Sequence, residues 1–211
     1  MELYLIRHGQ SVANLNGIIQ GHADVPLSSL GKKQAEQVGE ALRNVPFDAV
    51  YSSDLQRAYY TAEAIGERQS LSVNKLDFIR EVGLGPLEGL KKKELYKRYP
   101  HLRHQSLLTS GIPGTEPVPA ITSRCAVTLD YFFHNHHSDT VAAVSHGGFI
   151  SIFLTYLMFG EQWIQCERPF IIENTGITKI SINKWGKAKF HYVNNTSHLQ
   201  EQSGEETSSM A

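Results

Sequence analysis

Along the chain, short apolar runs alternate with longer stretches in which apolar residues return every third or fourth position. Residues 2–6 (ELYLI) form such a run and stop at Arg7-His8-Gly9, so a buried strand should deliver its end into a polar loop from about Gly9 to Pro26. Ala35, Val38, Ala41 and Leu42 then recur at helical spacing behind Ser28 or Ser29 as N-cap, which predicts a helix to about Arg43. Phe47–Tyr51 reads as a second strand, ending in Ser52-Ser53-Asp54, whose oxygens suit the start of a helix over about Leu55 to Arg68. A third strand is expected near Ser72–Leu76. Residues 82–119 hold five Gly and five Pro around one helical stretch, about Lys91 to Tyr99, and read as an inserted cap. A helix over 120–136, a central strand Thr140–Ser145 and a helix Gly148–Phe159 follow. Thr178–Ile182 and Ala188–Val193, joined through Trp185-Gly186, predict a hairpin at the sheet edge. Beyond Asn195 the sequence is polar and predicts a frayed tail over 196–211, leaving 1–195 as one domain.

Alternating strands and helices imply an α/β protein whose mostly parallel sheet is covered on both faces and binds ligands at the carboxyl ends of its strands. Three polar clusters occupy such ends: Arg7-His8 after the first strand, Ser52–Arg57 after the second, and Ser145-His146-Gly147 after the central one. Two arginines and two histidines are therefore expected to converge.

Composition narrows the ligand. Of the 211 residues, 41% are hydrophobic, enough to bury a core in a single domain. Twenty Lys and Arg stand against 21 Asp and Glu, so no global charge draws the chain to nucleic acid or an anionic membrane, and any anion site must be local. No apolar run reaches the roughly 20 residues of a membrane span, which makes a soluble, cytoplasmic protein the expectation. Cys125 and Cys166 form no metal or redox spacing and read as reduced thiols.

A phosphate monoester fits a cluster of this kind. Arg7 and Arg57 offer planar forks for its oxygens, and the start of the second long helix would add amide donors. A neutral histidine whose other ring nitrogen is held can act as nucleophile, the role expected of His8. His146, protonated by the bound anion, would donate to the transferring group, and Glu81, just past the third strand, is the carboxyl placed to protonate the leaving oxygen. A bell-shaped pH profile with an acidic-to-neutral optimum follows. The bland readings fit elsewhere: His101, His104, His134, His136 and His137 lack carboxylate or cysteine companions for a metal, Glu88 is taken as structural, and Lys91-Lys92-Lys93 as a solvated face.

The motifs LIRHGQS at 5–11, GHADVPLSSLG at 21–31, YSSDLQRAYYTA at 51–62, REVGLGPLEG at 80–89 and VSHGG at 144–148 occur in an order that resembles the histidine phosphatase superfamily, also called phosphoglycerate mutase-like, over roughly residues 1–182. The resemblance implies a three-layer α/β/α sandwich and a phosphohistidine intermediate on His8. It also implies that Arg7, Arg57 and His146 complete the phosphate pocket, with Glu81 as proton donor. Asn14 would reach the phosphate, Gln20 and Gly21 would border it, Leu84 would lie on the substrate rim, and Asn174-Thr175 would border the site. No metal or cofactor is implied, and the partner would be a small-molecule phosphomonoester, with a homodimer left open.

The short 82–119 segment and its GPLEG turn resemble the phosphatase branch, so hydrolysis is the expected reaction. The alternative is a cofactor-dependent phosphoglycerate mutase: Leu90, Lys92 and Glu94 match that branch's G-L-x-K-x-E stretch, whereas Leu84 replaces its tyrosine and no Arg-Arg pair occurs in 95–112. A non-catalytic phosphate-binding module is the second alternative, but it requires a lost nucleophile or arginine, and none is lost. Gln10 and Ala13, where Glu and Trp are common in the family, alter only the rim. Leu84, Leu87, Leu102, Leu107, Leu108 and Ile112 predict an apolar cap tolerant of bulky leaving groups.

Overall fold

The structure, a computed structural model, describes residues 1–166 and 169–202. Six strands form one sheet: β1 (Glu2–Arg7), β2 (Ala49–Ser52), β3 (Val73–Lys75), β4 (Thr140–Ser145), β5 (Ile177–Ile182) and β6 (Ala188–Asn195). Their spatial order is β3-β2-β4-β1-β5-β6. The pairs β1/β4, β2/β4 and β2/β3 are parallel, whereas β5 and β6 run antiparallel and close the far edge as the expected hairpin.

The apolar runs of β1 and β4 are continuous because both faces of these central strands are covered. Leu3 and Leu5, with Val141 and Ala143, meet Ile121, Cys125 and Phe132 of α5 (Val118–Asn135) and Phe149 and Phe153 of α6 (Gly147–Phe159). Tyr4 and Ile6, with Ala142 and Val144, point the other way. They pack on Val38 and Leu42 of α2 (Ser29–Leu42) and on Ala58, Ala62 and Ile65 of α3 (Gln56–Glu67). The period-2 alternation of each strand thus separates two hydrophobic layers, giving the three-layer α/β/α sandwich with a mostly parallel sheet. Two short helices, α1 (Val12–Leu15) and α4 (Lys92–Arg98), lie in the connections. No helix among the described residues is long and apolar enough to cross a membrane.

Three features depart from the sequence reading. The expected capping of α3 by Ser52-Ser53-Asp54 is met only in part: Ser53 Oγ accepts from Leu55 N at 3.3 Å, but Gln56 N is served at long range by Asp24 Oδ1 at 2.8 Å, while Asp54 pairs with Arg80 through both carboxylate oxygens. The 82–119 segment is stitched to the first loop by backbone hydrogen bonds, Ile19 to Leu90, Gly89 to Ile19 and Lys92 to Gly17. Leu87 and Leu102, expected in the apolar cap, are buried in the main core, and Ile112 packs against it. The polar stretch after Asn195 is not frayed from its start: a 3₁₀ turn at Ser197–Gln202 packs near α2, and His198 Nε2 lies 3.0 Å from Thr175 Oγ1. The anchor is a hydrogen bond rather than an apolar contact, so hydropathy does not reveal it. The rest of the expected tail, 203–211, lies outside the described residues.

Under the sheet, Tyr51, His136 and Asp139 form a chain, with 2.8 Å between Tyr51 Oη and His136 Nε2 and 2.8 Å between His136 Nδ1 and Asp139 Oδ2. Tyr51 and His136 are both buried. The substitution His136→Leu takes the ring nitrogen from the Tyr51 hydroxyl, which keeps only its side-chain hydrogen bond with Tyr131, and should cost about 0.5–1.5 kcal/mol, read as a lower urea midpoint. Adding Tyr51→Phe should recover part of that loss.

Candidate active site

Register brings the first cluster together. Arg7 lies opposite Ser145, the two terminal residues of neighbouring parallel strands, and His8 N donates to Ser145 O at 3.0 Å. The Arg-His-Gly and Ser-His-Gly-Gly turns therefore leave the sheet side by side, with the His8 and His146 ring centroids 5.0 Å apart. Gly9 N donates to Thr61 Oγ1 of α3, and that hydroxyl donates to Arg57 O one turn earlier, so the turn at His8 is tied to the helix that carries Arg57.

Arg57 is 1% exposed. It spends two N–H bonds on the first loop, Nη1 to Ala23 O at 2.7 Å and Nη2 to Gly21 O at 2.8 Å, while its buried Nε has no partner among the described residues. Burial pushes its pKa down to about 10, so it stays cationic at neutral pH. Arg7 Nη1 donates to Ile172 O at 2.7 Å. Gly21 adopts a positive φ of 52°, and a Cβ there would overlap both Glu88 and Leu84 N, which explains glycine at the loop's turning point.

His8 Nδ1 lies 2.6 Å from Gly9 O, a contact satisfied only when Nδ1 carries the proton, leaving the Nε2 lone pair free. Burial, then the charges of Arg57 and Arg7, hold the His8 pKa well below 6.5, so the ring is neutral. His146 is fully buried, neither ring nitrogen has a partner among the described residues, and burial followed by the charges of Arg57, His8 and Arg7 also lowers its pKa. The positive charge expected on His146 is thus no property of the protein alone. A bound anion must bring it.

Glu81 sits at the start of α6. Its Oε1 accepts from Phe149 N at 2.8 Å and Val82 N at 3.0 Å, and its Oε2 accepts from Gly148 N at 3.0 Å. A Cβ on Gly148 would lie 2.4 Å from Glu81 Oε1, so only glycine admits the carboxylate here. Glu88 faces elsewhere, its Oε1 accepting from His22 N and Leu84 N, which fits a structural carboxylate.

Four of these groups line one cavity of about 360 Å³, whereas the buried His146 lies behind its wall, next to the lining residues Gly147 and Gly148. Its walls include Arg7, His8, Arg57 and Glu81, together with the expected border residues Asn14, Gln20, Gly21 and Leu84. Asn14 Oδ1 accepts from Ser11 N in a capping box, which leaves its Nδ2 as donor, and Gln20 Oε1 accepts from the Ser11 hydroxyl at 2.7 Å. Leu107 and Leu108 also line the cavity, as do Ile18, Ile19, Ile171 and Ile172, which the sequence reading did not single out. Lys92, read there as part of a solvated face, stands at the rim, and its signal was the lysine of the G-L-x-K-x-E stretch. Asn174 borders the site indirectly, donating to His8 O at 3.0 Å. Phe170–Glu173, strand-like in sequence, forms no strand and supplies the cavity wall through its loop.

No group of three or more His, Cys, Asp or Glu among the described residues could hold a metal ion. His136 is committed to Tyr51 and Asp139, and His134 Nδ1 bonds Asp130 O.

The lowered His146 and His8 pKa values carry a sign. Without ligand the pair binds no proton just below pH 6.5, whereas an anion beside it favours the charged form, so binding must take up protons. Titration with sulfate, a dianion throughout, at pH 6 in two buffers of different ionisation enthalpy should show proton uptake and an affinity that tightens as pH falls. His146→Gln should reduce the uptake; equal uptake in both proteins would place the proton on His8.

Comparison with known proteins fits this geometry. The chain is 31% identical to an uncharacterized phosphatase, PhoE, of Bacillus subtilis over 92% of this chain and 95% of the relative. It is 30% identical to a probable phosphoglycerate mutase, GpmB, of Salmonella choleraesuis over 85% and 84%. A mycobacterial glucosyl-3-phosphoglycerate phosphatase solved with VO3 superposes with a TM-score of 0.82 at 26% identity, covering 92% of this chain and 99% of that one. The model of the histidine phosphatase superfamily (branch 1) matches residues 3–196, and the chain belongs to that superfamily.

Proposed function

We propose that this phosphatase hydrolyses small phosphomonoesters without a metal, through a phosphohistidine on His8. The observation that carries the reading is the tautomer of His8: with Nδ1–H held by Gly9 O and the ring neutral, Nε2 is a nucleophile beside two arginines on the wall of the cavity.

In the first step the Nε2 lone pair attacks phosphorus in line. The P–O bond to the alcohol breaks as Glu81 gives its proton to the departing oxygen. Arg7, Arg57 and the protonated His146 offset charge on the equatorial oxygens, with Asn14 Nδ2 as a further donor. In the second step Glu81, now a carboxylate, takes a proton from water. The oxygen of that water attacks phosphorus, and the P–N bond breaks to release phosphate and neutral His8.

The alcohol meets a mixed rim. Ile18, Ile19, Leu84, Leu107, Leu108 and Ile171 favour apolar or aromatic alcohols, and Ile171 is 79% exposed at the mouth. Lys92 beside them favours a second negative group and, together with the likeness to a probable phosphoglycerate mutase, supports mutase activity as a second reading. Leu84, where the mutase branch has tyrosine, argues against it.

Phosphate release from a panel that includes aryl phosphates and 3-phosphoglycerate, measured with chelator present, should persist in wild type and fall to background in His8→Ala. Conversion of 3- to 2-phosphoglycerate with added bisphosphoglycerate, without phosphate release, would replace hydrolysis by isomerisation. The acidic limb of the kcat/KM profile should lie below the ordinary histidine value of 6.5, because the free enzyme keeps His8 neutral there.

A further inference from the structure

Arg124 lies outside every motif named above, yet its guanidinium meets Glu81 at both ends. From α5 it reaches over the segment that carries the acid: Nη1 donates to Phe78 O at 3.2 Å and Arg80 O at 2.7 Å, and Nη2 to Glu81 O at 3.3 Å. Its remaining N–H groups bind Glu116, Nε to Oε1 at 2.7 Å and Nη2 to Oε2 at 2.8 Å. The same plane lies over the Phe149 ring, 4.6 Å from its centroid, and Phe149 N is the donor nearest the Glu81 carboxylate. The main chain of Glu81 is thereby gripped directly and its carboxylate through Phe149.

Glu116 completes the grip. Its Oε2 also accepts from Gly83 N at 2.9 Å, and its own N donates to Gly83 O at 2.8 Å, so the ion pair brackets Glu81 from both sides. The pair is largely sheltered, with side-chain exposures of 17% and 14%. All five N–H groups of Arg124 are spent within the protein, which excludes it as a phosphate ligand. A fork of three carbonyls and a carboxylate is a task for guanidinium geometry; an ammonium has neither the plane nor the reach.

We propose that Arg124, braced by Glu116, is the positioning residue for Glu81 as proton donor. This rests on the phosphatase reading above. Alkyl and aryl esters separate it from a merely structural ion pair. An alkoxide needs the proton of Glu81 to leave, whereas 4-nitrophenolate leaves without one, and kcat/KM reports only the steps through phosphorylation of His8.

The experiment compares wild type, Arg124→Lys, Glu116→Gln, Glu81→Gln and the double Glu81→Gln/Arg124→Lys on butyl phosphate and 4-nitrophenyl phosphate, with melting temperature alongside. Glu81→Gln should lower kcat/KM for butyl phosphate about 10²–10⁴-fold and spare the aryl ester. Arg124→Lys should lower butyl phosphate at least about tenfold more than 4-nitrophenyl phosphate, Glu116→Gln should move the same ratio, and the double variant should lose no more than Glu81→Gln alone. An equal loss on both esters, no loss in either, or full additivity in the double variant overturns the proposal. The variant Glu116→Gln decides the matter if Arg124→Lys does not fold. Inactivity of wild type on both esters would instead overturn the phosphatase reading, and this proposal with it.

Discussion

The parallel register of β1 on β4 is the constraint on which the site depends. With Arg7 opposite Ser145, the residues that follow each strand, His8 and His146, emerge at the same level of the sheet. A slip of one residue would exchange which side chains of β1 face α2 and α3 and which face α5 and α6, and would move His8 off the level of His146. Leu3 and Leu5 pack into one hydrophobic layer and Tyr4 and Ile6 into the other, so the fit of both layers favours the register that sets His8 beside His146.

That geometry concentrates positive charge where water is scarce. Two arginines, Arg57 buried and Arg7 half-buried, beside two buried histidines would be costly if all four were charged, and the protein meets this by keeping the histidines neutral and spending arginine N–H groups on the carbonyls of Gly21, Ala23 and Ile172. The loop that supplies two of those carbonyls is thereby locked to α3, and its Asp24 caps the same helix. The arginines thus hold their own loops in shape before any substrate arrives, which is preorganisation in structural terms.

How much of this was legible in the sequence depends on the range of the interaction. The apolar runs located β4 at Thr140–Ser145 and β1 to within one residue of Glu2–Arg7, because burial on both faces writes itself into consecutive positions. His8, Arg57 and His146 were legible because each follows a strand end within a motif, and the same topology that places strand ends together places them. Asp24 as the cap of α3 and the contact of His198 with Thr175 were not. Each joins residues whose polar identity leaves no periodic trace and whose partner is distant in sequence. Leu87 and Leu102 were assigned to the apolar cap by hydropathy, which does not say which apolar surface a residue meets, and both are buried in the main core.

Thr175 ties the two ends of the chain together. It holds a φ of 55°, its N donates to the carbonyl of Arg7 at 3.0 Å, and its hydroxyl meets His198. Of the six strands β1 is made first and must wait for β4 on one side and β5 on the other, while the turn that braces its end waits for Ser197–Gln202. The nascent chain thus carries β1, apolar from Leu3 to Ile6, without either neighbouring strand until β4 and β5 have been made.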